Sequence, residues 1–279
     1  MKSYSVDLTE SYSFIQGGKL DCLLMDYPFD NDDAKPWKRP ALIVAPGGGY
    51  GMTSKREGEP IASAFFAKGF QTFVLWYLVA GDGVRYPEQL LELSAAVDYV
   101  KKHADEMNVN ADEIFVVGFS AGGHLVGNLA VEHQNVSQKA GVALDCKPAG
   151  VGLIYPVISR INGHQGTYDN LLNGYTDEAK EELYKTLNLN EAVSKDTPPA
   201  FVCSTAEDAD VPPCNAMRYA MALNEKGIPY ELHVYPHGWH GLATGDMEVN
   251  LTTPKALNKY ARWVEDCASF FHEFTKELF

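Results

Sequence analysis

Ser120 has a glycine two positions away on each side, Gly118 and Gly122. The apolar, β-branched run at 114–117 predicts a buried parallel strand that leads into it. Apolar residues with helical spacing follow over 123–130. At a sharp corner between a strand and a helix, a serine has a strained backbone and an exposed hydroxyl, and glycines on both sides avoid collisions with neighbouring backbone. The pattern therefore predicts a nucleophilic serine.

A serine hydroxyl is a poor nucleophile unless a base accepts its proton and a third group orients that base. Suitable side chains follow two later predicted strands, 200–205 and 230–235. They are three carboxylates after the first strand and two histidines after the second: Glu207, Asp208, Asp210, His237 and His240. The order serine, acid, histidine is the one expected when such a serine takes its partners from later strands of one α/β sheet.

A run of three glycines, Gly47, Gly48 and Gly49, follows the predicted strand 41–45. Acyl transfer needs backbone N–H groups that stabilise the negative oxygen of the tetrahedral intermediate. One such donor in this geometry belongs to the residue after the nucleophile, Ala121. We expect Gly48 and Gly49 to supply the others. A phosphate-binding loop is disfavoured because neither a helix start nor a Gly-Lys-Ser/Thr motif follows the glycines.

Composition excludes several kinds of partner. The 279 residues carry a net charge of −14 and no basic cluster, which disfavours nucleic acid and anionic membranes. No apolar run reaches the ~18 residues of a membrane span. The first residues lack the apolar core of a signal peptide, and the five cysteines are odd in number and scattered. These features predict a cytoplasmic protein with reduced thiols. The oligomeric state stays open, with a homo-oligomer as one option.

Predicted strands and helices alternate along most of the chain, which indicates βαβ crossovers and a mostly parallel sheet of about eight strands with helices on both faces. Three other predictions concern the ends and one loop: a β-hairpin from 12–15 and 20–25, a polar loop at 30–36, and a closing helix over 253–276. The polar segment 159–196 is too long for a βα loop. We interpret it as a small cap inserted into a single domain, 1–279.

The chain resembles the α/β-hydrolase superfamily, and within it the esterase branch that includes bacterial acetyl xylan esterases and related carbohydrate esterases. The resemblance covers about residues 12–275, and four segments carry it: 46–50, 118–124, 208–212 and 240–242. Two positions depart from the family pattern. Pro46 replaces the histidine of the His-Gly-Gly-Gly motif, and Trp239 stands where a small residue is common.

The resemblance selects among the candidate side chains. The family motif Asp-x-x-Val-Pro matches Asp208, so Glu207 and Asp210 are expected to be solvated carboxylates. His240, which is followed by glycine, matches the family's histidine, and His237 is expected at the loop or the pocket rim. A zinc site at the two histidines is disfavoured because no third ligand is spaced to join them. The implied catalytic residues are Ser120, Asp208 and His240.

The resemblance also implies a function. It implies a serine carboxylic-ester hydrolase without a metal or organic cofactor, removing short acyl groups, chiefly acetyl, from carbohydrate such as xylo-oligosaccharides. Tyr50, Tyr168 and Trp239 are candidates for aromatic contacts with a sugar ring. The alternatives are a general short-chain or lipase-like esterase, a prolyl-oligopeptidase-type peptidase, and a non-catalytic binding protein of the same fold. His124 is expected to support the serine corner by hydrogen bonding.

Overall fold

The computed structural model describes residues 1–26 and 37–276. Within them lies an eight-stranded sheet with the order β1-β2-β4-β3-β5-β6-β7-β8. The strands are β1 (Lys2–Asp7), β2 (Lys19–Leu24), β3 (Arg39–Ala45), β4 (Gln71–Trp76), β5 (Val109–Phe119), β6 (Gly150–Ile154), β7 (Ala200–Thr205) and β8 (Tyr230–Tyr235). The pairs β1–β2 and β2–β4 are antiparallel, and the other five pairs are parallel. The predicted eight-stranded, mostly parallel sheet is confirmed.

Helices cover both faces of this sheet. They are α1 (Glu59–Phe66), α2 (Glu88–Lys102), α3 (Ala121–Ala140), α4 (Gln165–Leu171), α5 (Asp177–Leu187), α6 (Leu189–Ala192), α7 (Cys214–Lys226) and α8 (Trp263–His272). Successive side chains of a strand point to opposite faces. Accordingly, Ile43 belongs to the apolar core that includes α2, α3 and α7, whereas Leu42 and Val44 belong to the core that includes α1 and α8.

The predicted opening hairpin is wrong in its first strand. The strand that precedes β2 in the chain and pairs with it is β1, at Lys2–Asp7, whereas 12–15 contains a turn at 13–14 and no strand. Tyr12 and Ile15 are buried in the core without belonging to a strand. Because β1 is an edge strand with mostly exposed side chains, it lacks the apolar alternation by which a half-buried strand is recognised.

The closing helix is shorter than predicted. Two 3₁₀ turns, Lys255–Asn258 and Tyr260–Arg262, precede α8, which ends at His272. Pro254 directly precedes the first of these turns, and a proline is as compatible with this position as with the start of an α-helix. The predicted polar loop at 30–36 lies outside the described residues. No helix within the described ranges has the length and apolar character that crossing a membrane requires.

The parallel strands bring the candidate residues to one edge. β3, β5, β7 and β8 run in the same direction, so the residues after each of them meet at the carboxyl edge of the sheet. Segment 159–196, which carries α4, α5 and α6, lies between β6 and β7 in the chain. Its interpretation as a cap stays a prediction.

Candidate active site

Ser120 occupies the corner where β5 ends and α3 begins. Its backbone has φ 53° and ψ −115°, a conformation that is strained for a residue with a Cβ. Its N–H donates to the carbonyl oxygen of Ile154 at 3.0 Å, and its own carbonyl accepts from the N–H of His124 at 3.0 Å. These bonds hold the strained turn and leave the side chain free to face the sheet edge.

The side chains of Ser120, His240 and Asp208 form one hydrogen-bonded chain. His240 Nε2 lies 2.8 Å from Ser120 Oγ, and His240 Nδ1 lies 2.7 Å from Asp208 Oδ2. Asp208 is 4% exposed, and its other oxygen accepts from the N–H groups of Asp210 and Val211 at 3.1 and 2.9 Å. The loop backbone thus fixes the carboxylate that orients the imidazole.

A second acid–histidine pair lies beside the first. His237 Nδ1 is 2.9 Å from Glu207 Oε1, and the N–H of Gly238 donates to Glu207 Oε2 at 3.0 Å. The hydrogen bond from His237 is the main cause that lowers the pKa of Glu207, followed by the bond from Gly238. Both side chains are more than half exposed. The structure therefore joins His240 to Ser120 and keeps His237 in a separate surface pair.

The three backbone N–H groups that the sequence suggests for binding the oxyanion are available as donors. Those of Gly48, Gly49 and Ala121 donate no hydrogen bond within the described part of the chain. Gly48 has φ 129° and Gly49 φ 64°, and a Cβ on Gly48 would lie 2.3 Å from the carbonyl oxygen of Met52. Glycine is required for this turn because a side chain would be both strained and obstructed.

Ser120 and His240 line a cavity of about 480 Å³. Gly48, Gly49 and Met52 also border it. Most of the other lining residues have polar side chains and come from three parts of the chain: Ser54, Arg56, Glu57, His164, Thr167, Asn170 and Asp210. His164, Thr167 and Asn170 belong to segment 159–196, so this segment forms one side of the cavity.

Two aromatic residues that the sequence suggested for sugar binding are core residues instead. Tyr50 is 1% exposed and Tyr168 is fully buried, and neither lines the cavity. Their hydroxyls bind His124 Nδ1 at 3.0 Å and the carbonyl oxygen of Leu187 at 3.3 Å. Their large apolar rings gain more from burial than from solvent exposure. Trp239 is exposed but also stands outside the cavity lining, and its sugar contact stays a prediction.

His124 connects the serine corner to segment 159–196. Burial lowers its pKa to about 4, so the ring is neutral near pH 7. Nδ1 accepts from the Tyr50 hydroxyl, and Nε2 donates to the carbonyl oxygen of Leu187 at 3.0 Å. Because Leu187 is the last residue of α5, this ring ties α3 to α5. The contacts agree with the supporting role expected for His124.

Two charged residues that sequence reasoning missed follow the turn at Gly47–Gly49, which we call the glycine turn. Arg56 Nε donates to the carbonyl oxygen of Val249 at 2.6 Å, and its Nη2 donates to the Gly241 carbonyl at 3.0 Å and to Asn250 Oδ1 at 2.6 Å. Arg56 thereby fastens the segment that follows His240.

The second missed residue is Glu57, which is 4% exposed. Its Oε2 accepts from the N–H of Gly47 at 2.8 Å, and its Oε1 accepts from the Tyr155 hydroxyl at 2.8 Å. Burial raises the pKa of Glu57 against these two hydrogen bonds, which lower it. In the sequence, Lys55, Arg56 and Glu57 look like a solvated charged loop, and only their closeness to the glycine turn hints at a role.

Solved structures share this fold. The chain superposes with a TM-score of 0.80 and 30% identity on an acetyl ester-xyloside bifunctional hydrolase from Caldicellulosiruptor lactoaceticus, covering 97% of this chain and 96% of that one. A serine at a strand–helix corner, with its acid and histidine after later strands of a parallel sheet, is the arrangement of the α/β-hydrolases. The predicted α/β-hydrolase fold is confirmed.

The sequence matches the BD-FAE family over residues 29–223. The chain therefore belongs to the BD-FAE family. Endo-1,4-beta-xylanase B of Butyrivibrio fibrisolvens is 35% identical over 222 residues, which are 78% of this chain and 34% of that protein. An acetylxylan esterase of Xylanibacter ruminicola is 31% identical over 212 residues, 74% of this chain and 41% of that protein. The chain thus spans less than half the length of these two relatives.

Proposed function

We propose that this protein is a serine carboxylic-ester hydrolase that removes acetyl and other short acyl groups from carbohydrate. The observation that carries the proposal is the hydrogen-bonded triad Ser120–His240–Asp208, with contacts of 2.8 and 2.7 Å, at the wall of a cavity. In such a triad the serine proton can pass to the imidazole while the aspartate stabilises the resulting cation.

In this reaction Ser120 Oγ attacks the ester carbonyl carbon as His240 Nε2 takes its proton. The N–H groups of Gly48, Gly49 and Ala121 bind the oxyanion of the tetrahedral intermediate. His240 then donates the proton to the leaving alcohol oxygen as the carbon–oxygen bond breaks, which leaves an acyl-Ser120. A water molecule then attacks the acyl carbon as His240 takes its proton. The bond from this carbon to Ser120 Oγ breaks, His240 returns the proton to Oγ, and the carboxylic acid leaves.

The substrate class is proposed from the cavity wall and from the relatives. Arg56, Asn170 and Asp210 place donors and acceptors around the cavity, which suits the hydroxyl groups of a sugar. One relative is named an acetylxylan esterase, and a structural neighbour is named an acetyl ester-xyloside hydrolase. Acetylated xylo-oligosaccharides are therefore the proposed substrates. Met52 adds an apolar patch to the wall and favours the alternative, a general short-chain carboxylesterase.

We further propose that segment 159–196 acts as a cap and that the protein works in the cytoplasm. The cap is supported by the Asn170 side chain, which donates to the carbonyl oxygen of Gly49 at 2.9 Å. The reducing compartment is supported by the cysteines, all five of which are free thiols.

The test is a panel of p-nitrophenyl esters from acetyl to octanoyl, run beside acetylated xylo-oligosaccharides with detection of released acetate. Among the p-nitrophenyl esters, we expect the highest kcat/KM for the acetyl ester. We also expect the enzyme to release acetate from the oligosaccharides. Ser120→Ala should lower kcat by several orders of magnitude, whereas Ser13→Ala, an exposed serine, should not. An octanoyl preference would contradict the carbohydrate assignment, and an active Ser120→Ala variant would contradict the mechanism.

A further inference from the structure

The carboxylate of Glu57 joins two parts of the site that are far apart in the chain. One oxygen holds the N–H of Gly47, at the start of the glycine turn, and the other holds the hydroxyl of Tyr155, just after β6. A Cβ on Gly47 would lie 2.9 Å from Glu57 Oε2. Glycine at position 47 therefore makes room for the carboxylate as well as for the turn.

From Tyr155 the connection continues to the segment that carries His240. The Tyr155 hydroxyl accepts from the N–H of Ala243 at 3.0 Å. The Tyr155 ring also lies edge-on to the His240 imidazole, with centroids 5.1 Å apart and planes at 68°. Tyr155 has φ 37°, an unusual value for a residue with a side chain. Its ring and hydroxyl are thus held in place from both ends.

The donors around Glu57 explain why a carboxylate is needed here. The Gly47 N–H can only donate, and the Tyr155 hydroxyl, whose oxygen already accepts from Ala243, donates its single proton to Glu57. An ionised carboxylate accepts both bonds. A glutamine accepts only one of them, because its NH2 group would face a donor.

We propose that Glu57 is a positioning residue for the proposed hydrolysis, coupling the Gly47–Gly49 turn to the His240 segment through Tyr155. The proposal rests on the proposed function, since the two parts it joins are the oxyanion donors and the general base. These groups act on opposite sides of the same tetrahedral intermediate. Fixing their separation matters because a misplacement of about 1 Å can cost about 100-fold in rate.

The test compares the wild type with Glu57→Gln, Tyr155→Phe and the double variant, with Glu59→Gln as the matched control. Glu59 is an exposed carboxylate two residues away, outside the cavity lining. The readouts are kcat and KM for p-nitrophenyl acetate, the affinity for a trifluoromethyl ketone that mimics the tetrahedral intermediate, and the thermal midpoint.

We expect Glu57→Gln and Tyr155→Phe each to lower kcat by about 10- to 100-fold with KM changed by less than about threefold. Affinity for the ketone should fall in parallel, because it needs both the turn and the histidine. The double variant should lose little more than Glu57→Gln alone, since both changes break one connection. Glu59→Gln should behave as wild type.

Several results would overturn the proposal. These are wild-type kcat in Glu57→Gln, additive losses in the double variant, or losses in kcat that only match the fraction of unfolded protein. If Glu57→Gln does not fold, Tyr155→Phe decides, because it keeps the carboxylate and the Gly47 contact; wild-type kcat in that variant contradicts the coupling. Absence of hydrolysis by the wild type would instead contradict the proposed function itself.

Discussion

A Cβ built on Gly118 would lie 2.2 Å from the carbonyl oxygen of Gly122. The two glycines that flank the serine in the sequence therefore meet each other across the strand–helix corner. Gly122 is obstructed in turn by β3, because its Cβ would lie 2.2 Å from the carbonyl oxygen of Ala45. Backbone atoms cannot move aside as the end of a flexible side chain can.

We predict that Gly118→Ala and Gly122→Ala each destabilise the protein by about 1–3 kcal/mol or more, because overpacking here must displace backbone. The expected fall in Tm is about 2–4 °C per kcal/mol for a chain of this size. Gly81→Ala is the control, since no atom lies within 4 Å of its added Cβ. Melting curves followed by circular dichroism measure the effect, and equal Tm values for all three variants would contradict it.

The second prediction concerns Glu207 and Asp208, which are adjacent in the sequence and bind different histidines. Asp208→Asn should lower kcat by about 10,000-fold, because the amide no longer holds the imidazole in the required tautomer. Glu207→Gln should keep kcat within about twofold, because its partner His237 is exposed and separate from Ser120. Steady-state kinetics of both purified variants decide the matter. A large loss in Glu207→Gln with an active Asp208→Asn would reverse the assignment of the acid.

Sequence reasoning succeeded where a local pattern carries the physical requirement. The strands Ala200–Thr205 and Tyr230–Tyr235 were predicted with their observed bounds. The first of them is fully buried, as expected of a short, largely apolar run in a parallel sheet. The approach of Ser120, Asp208 and His240 followed from strand direction, since each residue lies in the turn or loop that follows a strand of one sheet.

The same reasoning failed where a role depends on burial or on distant partners. Glu57 lies in a charged stretch, and only the folded chain brings Tyr155 and Gly47 to its two oxygens. Tyr50 and Tyr168 differ from surface aromatics only in what packs around them. Sequence spacing predicts neither the partners of Glu57 nor the burial of the two tyrosines, because both depend on tertiary packing.

The third prediction concerns Asn170, whose amide donates to the Gly49 carbonyl oxygen from α4. Asn170→Ala should lower kcat/KM for acetyl esters by about tenfold, the equivalent of one hydrogen bond of roughly 1.4 kcal/mol. Gln165→Ala is the control, because this residue lies on the same helix, and its side-chain amide donates to Asp169 Oδ1 at 3.1 Å instead of to the glycine turn. Wild-type kcat/KM in Asn170→Ala would show that the glycine turn is held without help from segment 159–196.

A buried carboxyl on α2 gives the last prediction, about stability and pH. Glu92 is fully buried; its Oε2 accepts from the N–H of Leu78 at 2.8 Å, and Glu88 and Asp82 are its acidic neighbours. Burial, with a smaller contribution from these two, raises the pKa of Glu92 to about 8. The folded protein therefore keeps a proton here that the unfolded chain, with an ordinary pKa near 4.5, releases.

Because the folded state binds the extra proton, this group stabilises the protein fully below about pH 4.5, and its contribution falls as pH rises toward about 8. Glu92→Gln keeps an acceptor for Leu78 and cannot ionise, so its Tm should exceed that of the wild type increasingly from pH 5 to pH 8. The exposed Glu106→Gln is the control and should follow the wild type. Melting curves at half-unit pH intervals measure the difference, and a difference independent of pH would mean that Glu92 does not titrate in this range.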